Sequence, residues 1–376
     1  MMENIIYIGY YNSLKNGQKR NCVLAATNKM DYIIEALDKK GLKVIVLSVS
    51  ESRTNTGYSL TEEDILNNSK LILLPTVKYG NGIQRKIQRI LIRCSLINYV
   101  CRNTNKNSKV IVYHSLGYLK TISFLKKIKH FKLILEVEEI YADVIENKKI
   151  RISEMSFLKK ADAYIFPTML LNEEINLDNK PYSIIHGTYK LEKDRKCKFN
   201  DGRIHVVYAG TFDPRKGGAA AAAAAAEFLP ENYHIHILGF GTKSEIDSMK
   251  KLVSQIAIKS KCKITYDGLK SGEEYIQFIQ SCDIGLSTQN PDAAFNNTSF
   301  PSKILSYMSN GLRVVSIKIP AIQGSDIGDY MYYYDEQTPE KIAKAIMSVD
   351  MKDGYNGRDI ITRLDVKFKN DLGNIL

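Results

Sequence analysis

The stretch IHVVYAGTFDPRKGGAAAAAAAA, residues 204–226, decides how the chain is read. An apolar run ends at Gly210, a turn follows with Asp213 and Pro214, then come the cations Arg215 and Lys216, two glycines and eight alanines. The β-branched front end favours a strand and alanine is the best helix former, so the order is strand, turn, helix. A helix without large side chains can lie close to a sheet, which makes the alanine run a short crossover helix. Gly210 lets backbone approach a ligand, and a lysine beside the unpaired amides of a helix start favours an anion. Neither the Walker lysine pattern nor Gly-x-Gly-x-x-Gly is present, so two readings stand: a phosphate cradle, or a solvated turn with two surface cations.

Working outward, IHVVYAG, YHIHILGFG, KITYDG, DIGLST, RVVSIK and YMYYYD alternate with helical patterns through residue 350. Such alternation implies right-handed crossovers and a doubly wound parallel sheet, with ligands beyond the carboxyl ends of its strands. The loops after Tyr208, Leu238, Tyr266 and Ser287 are expected to converge on one cleft. The first half repeats the design with NIIYIGY, KVIVLSV, LILLPTV, KVIVYHS, KLILEVEE, DAYIFPT and PYSIIHGTY, and the charged LEKDRKCKFNDGR reads as a linker. The expected architecture is α/β: two Rossmann-like doubly wound parallel-sheet domains facing a cleft. Residues 1–195 form the first, 203–352 the second, and 353–376 a tail packing back on the first.

A chain of 376 residues with 44% hydrophobic content has material for two cores. Its net charge of +12 favours an anionic partner. Nucleic acid is disfavoured, because no reading module or aromatic platform accompanies the charge. Six scattered cysteines lack zinc-site spacing, so no metal and no cofactor is expected, and they read as reduced cytosolic thiols. No signal-peptide pattern and no apolar run of about eighteen residues occurs, so the chain reads as cytoplasmic, soluble or peripheral at the inner face of the membrane. The basic segments RKIQRILIRCSLINYVCR (85–102) and LKTISFLKKIKHFK (119–132) are read either as helices lying on anionic membrane or as solvated faces. The oligomeric state is left open.

A second motif, NNTSFPSKILSYMSNG (296–311), places Pro301 for the first helical position, with Ser302 and Lys303 in the first turn and Asn310 and Gly311 as the stop. A lysine at a helix start is unfavourable unless it shares an anion with the amides. In order, VVYAGTFDPRKGG, ILGFG, ITYDGL, SCDIGLST and FPSKILSYMSNGLRVVS resemble the carboxyl-terminal half of the GT-B glycosyltransferases, specifically the retaining family 4 group (glycosyl transferases group 1). The resemblance spans about residues 203–350. It implies a nucleotide-sugar donor, a substrate and not a cofactor, with Gly210, Thr211, Arg215 and Lys216 at the diphosphate. Gly239 and Gly241 would lie near the donor, Leu269 near the base, and Ser302 with Lys303 at the phosphate end of the helix. The sequence departs from the family at Thr298 and Ser306, where two glutamates are common, and at Thr211, where an arginine is frequent.

The first half resembles the family only loosely. His114 and the carboxylates Glu136, Glu138 and Glu139 fall at or just after strand ends; Glu138 and Glu139, with His114, are the candidates for acceptor orientation or proton transfer. A carboxylate cluster that merely complements a helix dipole is the competing reading. Gly17 and His186 are assigned to the acceptor side or hinge, and His130, His205, His234 and His236 to structural roles. The implied reaction is glycosyl transfer from a UDP- or GDP-sugar to a glycan or lipid-linked glycan, in cell-surface polysaccharide or glycoconjugate synthesis. The family implies retention, and the lack of any Asp-x-Asp implies independence of metal. The alternatives are a sugar-nucleotide epimerase on the same fold and a non-catalytic sugar-nucleotide-binding partner of a glycosyltransferase complex.

Overall fold

A computed structural model describes residues 4–13, 17–214, 218–289 and 299–376. The chain divides into two compact units: unit 1 holds the chain up to Pro167, Leu171–Thr188 and Phe368–Leu376, and unit 2 holds Thr168–Leu170 and Tyr189–Lys367. These borders differ from the expected 195 and 203. The linker LEKDRKCKFNDGR belongs to unit 2, because Lys193 and Arg195 bind Gln280 and Arg195 pairs with Glu273. The final helix, Gly357–Asn374, is shared: Arg358 donates to Ser309 and Glu192 carbonyls in unit 2, whereas Phe368 stacks on Tyr32 in unit 1.

Unit 1 is built on eight strands: β1 Asn4–Gly9, β2 Lys43–Ser48, β3 Thr61–Asp64, β4 Ser69–Leu73, β5 Lys109–Tyr113, β6 Lys132–Glu136, β7 Ala163–Phe166 and β8 Tyr182–Ile184. Their order is β3-β4-β2-β1-β5-β6-β7-β8, parallel except for β3 against β4. Every strand read from the sequence is present. The addition, β3, has the sequence TEED and a half-exposed edge position. It carries no apolar periodicity to betray it, and charges are what keep an open edge from pairing with other chains. The central strands are buried on both faces, which is why β1, β2, β5 and β6 read as near-continuous apolar runs.

Unit 2 contains β9 Ile204–Thr211, β10 Tyr233–Phe240, β11 Lys263–Gly268, β12 Ile284–Ser287, β13 Arg313–Ile317 and β14 Met331–Tyr334. Their order, β11-β10-β9-β12-β13-β14, is parallel throughout, with the topological switch between β9 and β12. The alanine run forms the helix Gly218–Ala224 and tightens into a 3₁₀ turn, Ala225–Phe228. Ala222, Ala223, Ala225 and Ala226 have no exposed surface, so the small side chains do allow close packing. Gly285 has a similar purpose: a Cβ there would stand 2.3 Å from the Tyr307 ring. Among the described residues no helix is long and apolar enough to cross a membrane.

Candidate functional site

At the carboxyl ends of β9, β10 and β12 several backbone segments are tied into one surface. Gly210 and Gly239 are register partners, and a Cβ on Gly239 would lie 1.9 Å from the Gly210 carbonyl oxygen. Phe212 N–H donates to the Phe240 carbonyl at 2.9 Å, joining the loops after β9 and β10. Thr288 Oγ1 donates to the Gly218 carbonyl at 2.6 Å, joining the loop after β12 to the alanine helix. The Ala209 amide donates to the Tyr307 hydroxyl at 2.9 Å, which anchors the helix Lys303–Ser309 beside the end of β9.

Lys303 opens that helix. Its ammonium lies 4.3 Å from the centre of the Tyr208 ring and would stand 3.2 Å from a Cβ on Gly210. Glycine at 210 therefore leaves the room in which a cation sits against the strand end. Tyr208 is held by a 3.0 Å hydrogen bond to the Thr211 carbonyl, and burial pushes its phenol up to about 12, so it stays neutral under the ammonium. The helix begins later than the sequence pattern expects. Ser302 is its N-cap and Pro301 precedes it, because Ile304 N–H closes a tight turn on the Pro301 carbonyl at 3.0 Å.

The other expected donor residues are placed as follows. Thr211 Oγ1 accepts from the Asp213 amide at 3.2 Å. Gly241 precedes the helix Lys243–Lys259, whose first turn is closed by a reciprocal Thr242–Glu245 capping box. The Thr242 and Glu245 amides are thus taken up within the chain. Leu269 follows the edge strand β11 and is 66% exposed. Ser306, at a position where the resemblance puts a glutamate, lies 3.4 Å from the Tyr275 hydroxyl. Arg215, Lys216 and Thr298 lie outside the described residues.

Unit 1 carries a different arrangement. Glu136, the last residue of β6, is fully buried and accepts a short hydrogen bond from the Tyr7 hydroxyl on β1. Burial pushes its carboxyl up to about 8; Lys29 opposes the rise, Glu138 adds to it, and the Tyr7 bond opposes it. Burial therefore favours the protonated form of Glu136. Glu138, two residues on, forms a 2.5 Å ion pair with Lys29, whose side chain is 7% exposed and also donates to the Ile185 carbonyl at 3.2 Å. Burial, then the Glu138 charge, raises the nearby Tyr113 phenol as well. Lys29 escaped the sequence reading, yet it precedes Ile33 and Leu37 on the apolar face of the helix Leu24–Lys39, and a lysine there signals an interior partner.

His114 does not stand where a catalytic role needs it. Its side chain has no exposed surface, Nε2 lies 2.7 Å from Glu154, and the rings of Tyr141 and Phe157 cover it. Glu154 is in turn fixed by the Tyr141 and Ala142 amides, so the pair braces the segment after β6 and touches no solvent. Glu139, next to Glu138 in sequence, is half-buried. His186 is also buried, its Nδ1 donating to the Pro167 carbonyl at 2.7 Å. Gly17 is exposed with φ +67°, a conformation that favours glycine. A cavity of about 450 Å³ in the same unit is lined by the polar Asn12, Asn28 and Asp31 and by the apolar Leu24, Ile34 and Leu66, with Tyr11 donating to Asp31 at 2.6 Å.

No protein-family model and no curated protein matches the chain. Solved structures do. The chain superposes on sucrose-phosphate synthase from Thermosynechococcus elongatus with a TM-score of 0.70, 15% identity, and coverage of 99% of this chain and 98% of that one. An α,α-trehalose-phosphate synthase (UDP-forming) from Burkholderia xenovorans, in complex with glucose-6-phosphate, gives 0.64 at 9% identity over 99% and 98%. An E. coli trehalose-6-phosphate structure bound with UDP-2-fluoro glucose gives 0.66 at 8% identity over 99% and 97%. The fold is that of the GT-B glycosyltransferases, carried by two Rossmann-like parallel-sheet units. At 8–15% identity the likeness to these synthases is one of fold, at the level of GT-B.

Proposed function

We propose that the protein is a glycosyltransferase that moves a sugar from a nucleoside diphosphate sugar to a hydroxyl of a carbohydrate acceptor. The observation that carries this reading is Lys303, an ammonium held over Tyr208 in the space vacated by Gly210, at the switch point of a parallel sheet. Breaking the bond between the anomeric carbon and the β-phosphate leaves negative charge on phosphate oxygens. A fixed cation there contributes more as the bond breaks than it does in the ground state. Arg215 and Lys216 are proposed to join it on the diphosphate, which makes a metal unnecessary for charge neutralisation.

Gly239, Gly241, Ser302 and Leu269 are proposed to line the donor, with Leu269 toward the base. For the acceptor we propose Glu138 and Glu139 as orienting carboxylates, Gly17 and His186 in the supporting backbone, and the cavity beside Tyr11 and Asp31 as the sugar pocket. The UDP-2-fluoro glucose and glucose-6-phosphate of the two neighbours support UDP-glucose and a hexose phosphate as the first pair to assay, with glycan and lipid-linked acceptors next.

A cytoplasmic protein peripheral to anionic membrane fits the same reading. The helix Gly82–Asn103 exposes Ile83, Ile87 and Ile90 at 69%, 49% and 60%, and the adjacent helix Leu119–Lys129 exposes Phe124 and Ile128. The two carry nine Lys or Arg residues and no Asp or Glu, a combination suited to lipid headgroups over an apolar interface. The Ser306 hydroxyl, standing where a carboxylate is common, favours a second reading: a protein that binds the nucleotide sugar without turning it over.

Thermal unfolding with UDP and GDP, in magnesium or in EDTA, tests the donor site; product formation from the corresponding sugars, with and without acceptor, tests transfer. Stabilisation that survives EDTA, with acceptor-dependent product, is the expected result. Stabilisation without product selects the binding-only reading, and no stabilisation by any nucleotide rejects both.

A further inference from the structure

At the other end of the unit 2 sheet, three buried histidines are grouped: His205 on β9 with His234 and His236 on β10, one ring nitrogen of each lying within 4.8 Å of the others. His205 and His234 are the second residues of their strands and register partners. Five steps of strand separate His205 from Gly210 and three separate His236 from Gly239, which puts the rings about 16 Å and about 10 Å along their strands from the donor loops.

The hydrogen bonds around the group fix where the ring protons are. His205 Nε2 lies 2.8 Å from the Asp201 carboxylate, and His236 Nδ1 lies 3.1 Å from that of Asp267. Both carboxylates accept, so both rings direct their N–H outward. Thr265 Oγ1 donates to Asp267 at 2.7 Å, which leaves its oxygen to accept from His234 Nε2 at 3.0 Å. The nitrogens left over are His205 Nδ1, His236 Nε2 and His234 Nδ1. The first two face one another at 2.9 Å, lone pair to lone pair, and require a cation between them. The third is buried with no hydrogen-bond partner.

A shared proton satisfies two nitrogens and leaves the third orphaned, whereas a metal ion satisfies all three. We propose that His205, His234 and His236 bind a divalent transition-metal ion of the zinc class, as a structural site of unit 2. Imidazoles hold such an ion at about 2.0–2.1 Å, which sets neighbouring nitrogens about 3.3 Å apart in a tetrahedron; here one pair stands at 2.9 Å, and one nitrogen of each of the three rings lies within 4.8 Å of the others. Outer-nitrogen hydrogen bonds to carboxylate or hydroxyl oxygens are the usual means of orienting metal-bound histidines, and here each ring has one. Phe199 stacks on His205 at 4.1 Å and on His236 at 5.1 Å, and Asp201 lies in the same segment. The ion would thus clasp the stretch around residues 199–201 to strands β9, β10 and β11.

The test is titration of the whole chelator-stripped protein with Co²⁺ and Zn²⁺, reading Co²⁺ visible absorption, bound metal per chain and Tm. The expected result is one equivalent of metal, Co²⁺ bands of a nitrogen-ligated tetrahedral site displaced by Zn²⁺, and a Tm rise of about 5 °C or more at a hundredfold excess over Kd. His234→Gln should lose the bands and the Tm rise. No metal uptake by the parent protein overturns the proposal and leaves a shared proton between His205 and His236. Equal uptake and Tm rise in His234→Gln also overturns it, since the ion then sits elsewhere.

Discussion

The two units end their parallel strands in opposite ways. At the end of β9 a glycine withdraws its side chain and a lysine ammonium is set into the space over a neutral phenol. At the end of β6 a carboxyl is sealed beneath Tyr7, and the nearest cation, Lys29, is already paired with Glu138. Unit 2 sets an ammonium against an aromatic ring at its strand end; unit 1 seals a carboxyl and pairs the neighbouring cation with a second carboxylate. One sheet architecture accommodates both, because what a strand end can do depends on whether its neighbours leave space or fill it.

Four substitutions break or sharpen that contrast, and the largest effect belongs to the presented cation. Lys303→Ala should lower kcat/KM by about 10²–10³-fold while weakening nucleoside diphosphate binding by about tenfold, measured by steady-state kinetics and calorimetry at fixed salt. Nucleotide affinity equal to that of the parent would remove Lys303 from the donor site. The stored cation should behave differently. Lys29→Met should cost about 2–3 kcal/mol in urea unfolding and leave nucleotide affinity unchanged, below the roughly 3–5 kcal/mol of a sealed pair because Glu138 is 25% exposed.

Glu136→Gln tests the stored proton. The folded pKa is raised from 4.5 to about 8, so the native state holds a proton that the unfolded chain gives up. Stability from this group is complete below about pH 4.5 and is lost as pH rises through about 8, with a slope of up to about 1.4 kcal/mol per pH unit. Unfolding curves of the parent and the glutamine variant should therefore agree within about 1 kcal/mol near pH 5 and separate by pH 8, the parent falling relative to the variant. Parallel curves across that range would mean that Glu136 is ionised at pH 5. Gly210→Ala should have the smallest effect on folding. Its Cβ would meet only the ends of the Tyr208 and Lys303 side chains, at 2.9 and 3.2 Å, so a stability loss of about 1 kcal/mol or less is expected. Nucleotide affinity should still fall severalfold as the ammonium is displaced; an unchanged Kd would show that its position is immaterial.

Apolar runs in β1, β2, β5, β6, β9, β10 and β13, spaced by helical patterns, sufficed to read two parallel sheets, because strands buried on both faces must be apolar along their whole length. TEED in β3 was illegible for the converse reason, since an exposed edge strand is selected for charge and not for periodicity. Gly210 and Lys303 were legible as separate residues, in that a strand-ending glycine and a lysine at a helix start are each locally out of place. Their juxtaposition was not, nor was the choice among Glu136, Glu138 and Glu139, which look alike in LEVEEIY. Glu136 differs from Glu138 only because Tyr7, 129 positions away, closes over one and Lys29, 109 positions away, reaches the other. Local sequence determines which elements form, because propensity and periodicity act over a few residues. Protonation, pairing and access depend on burial and on charges within a few ångströms, and those distances exist only once the sheets have folded.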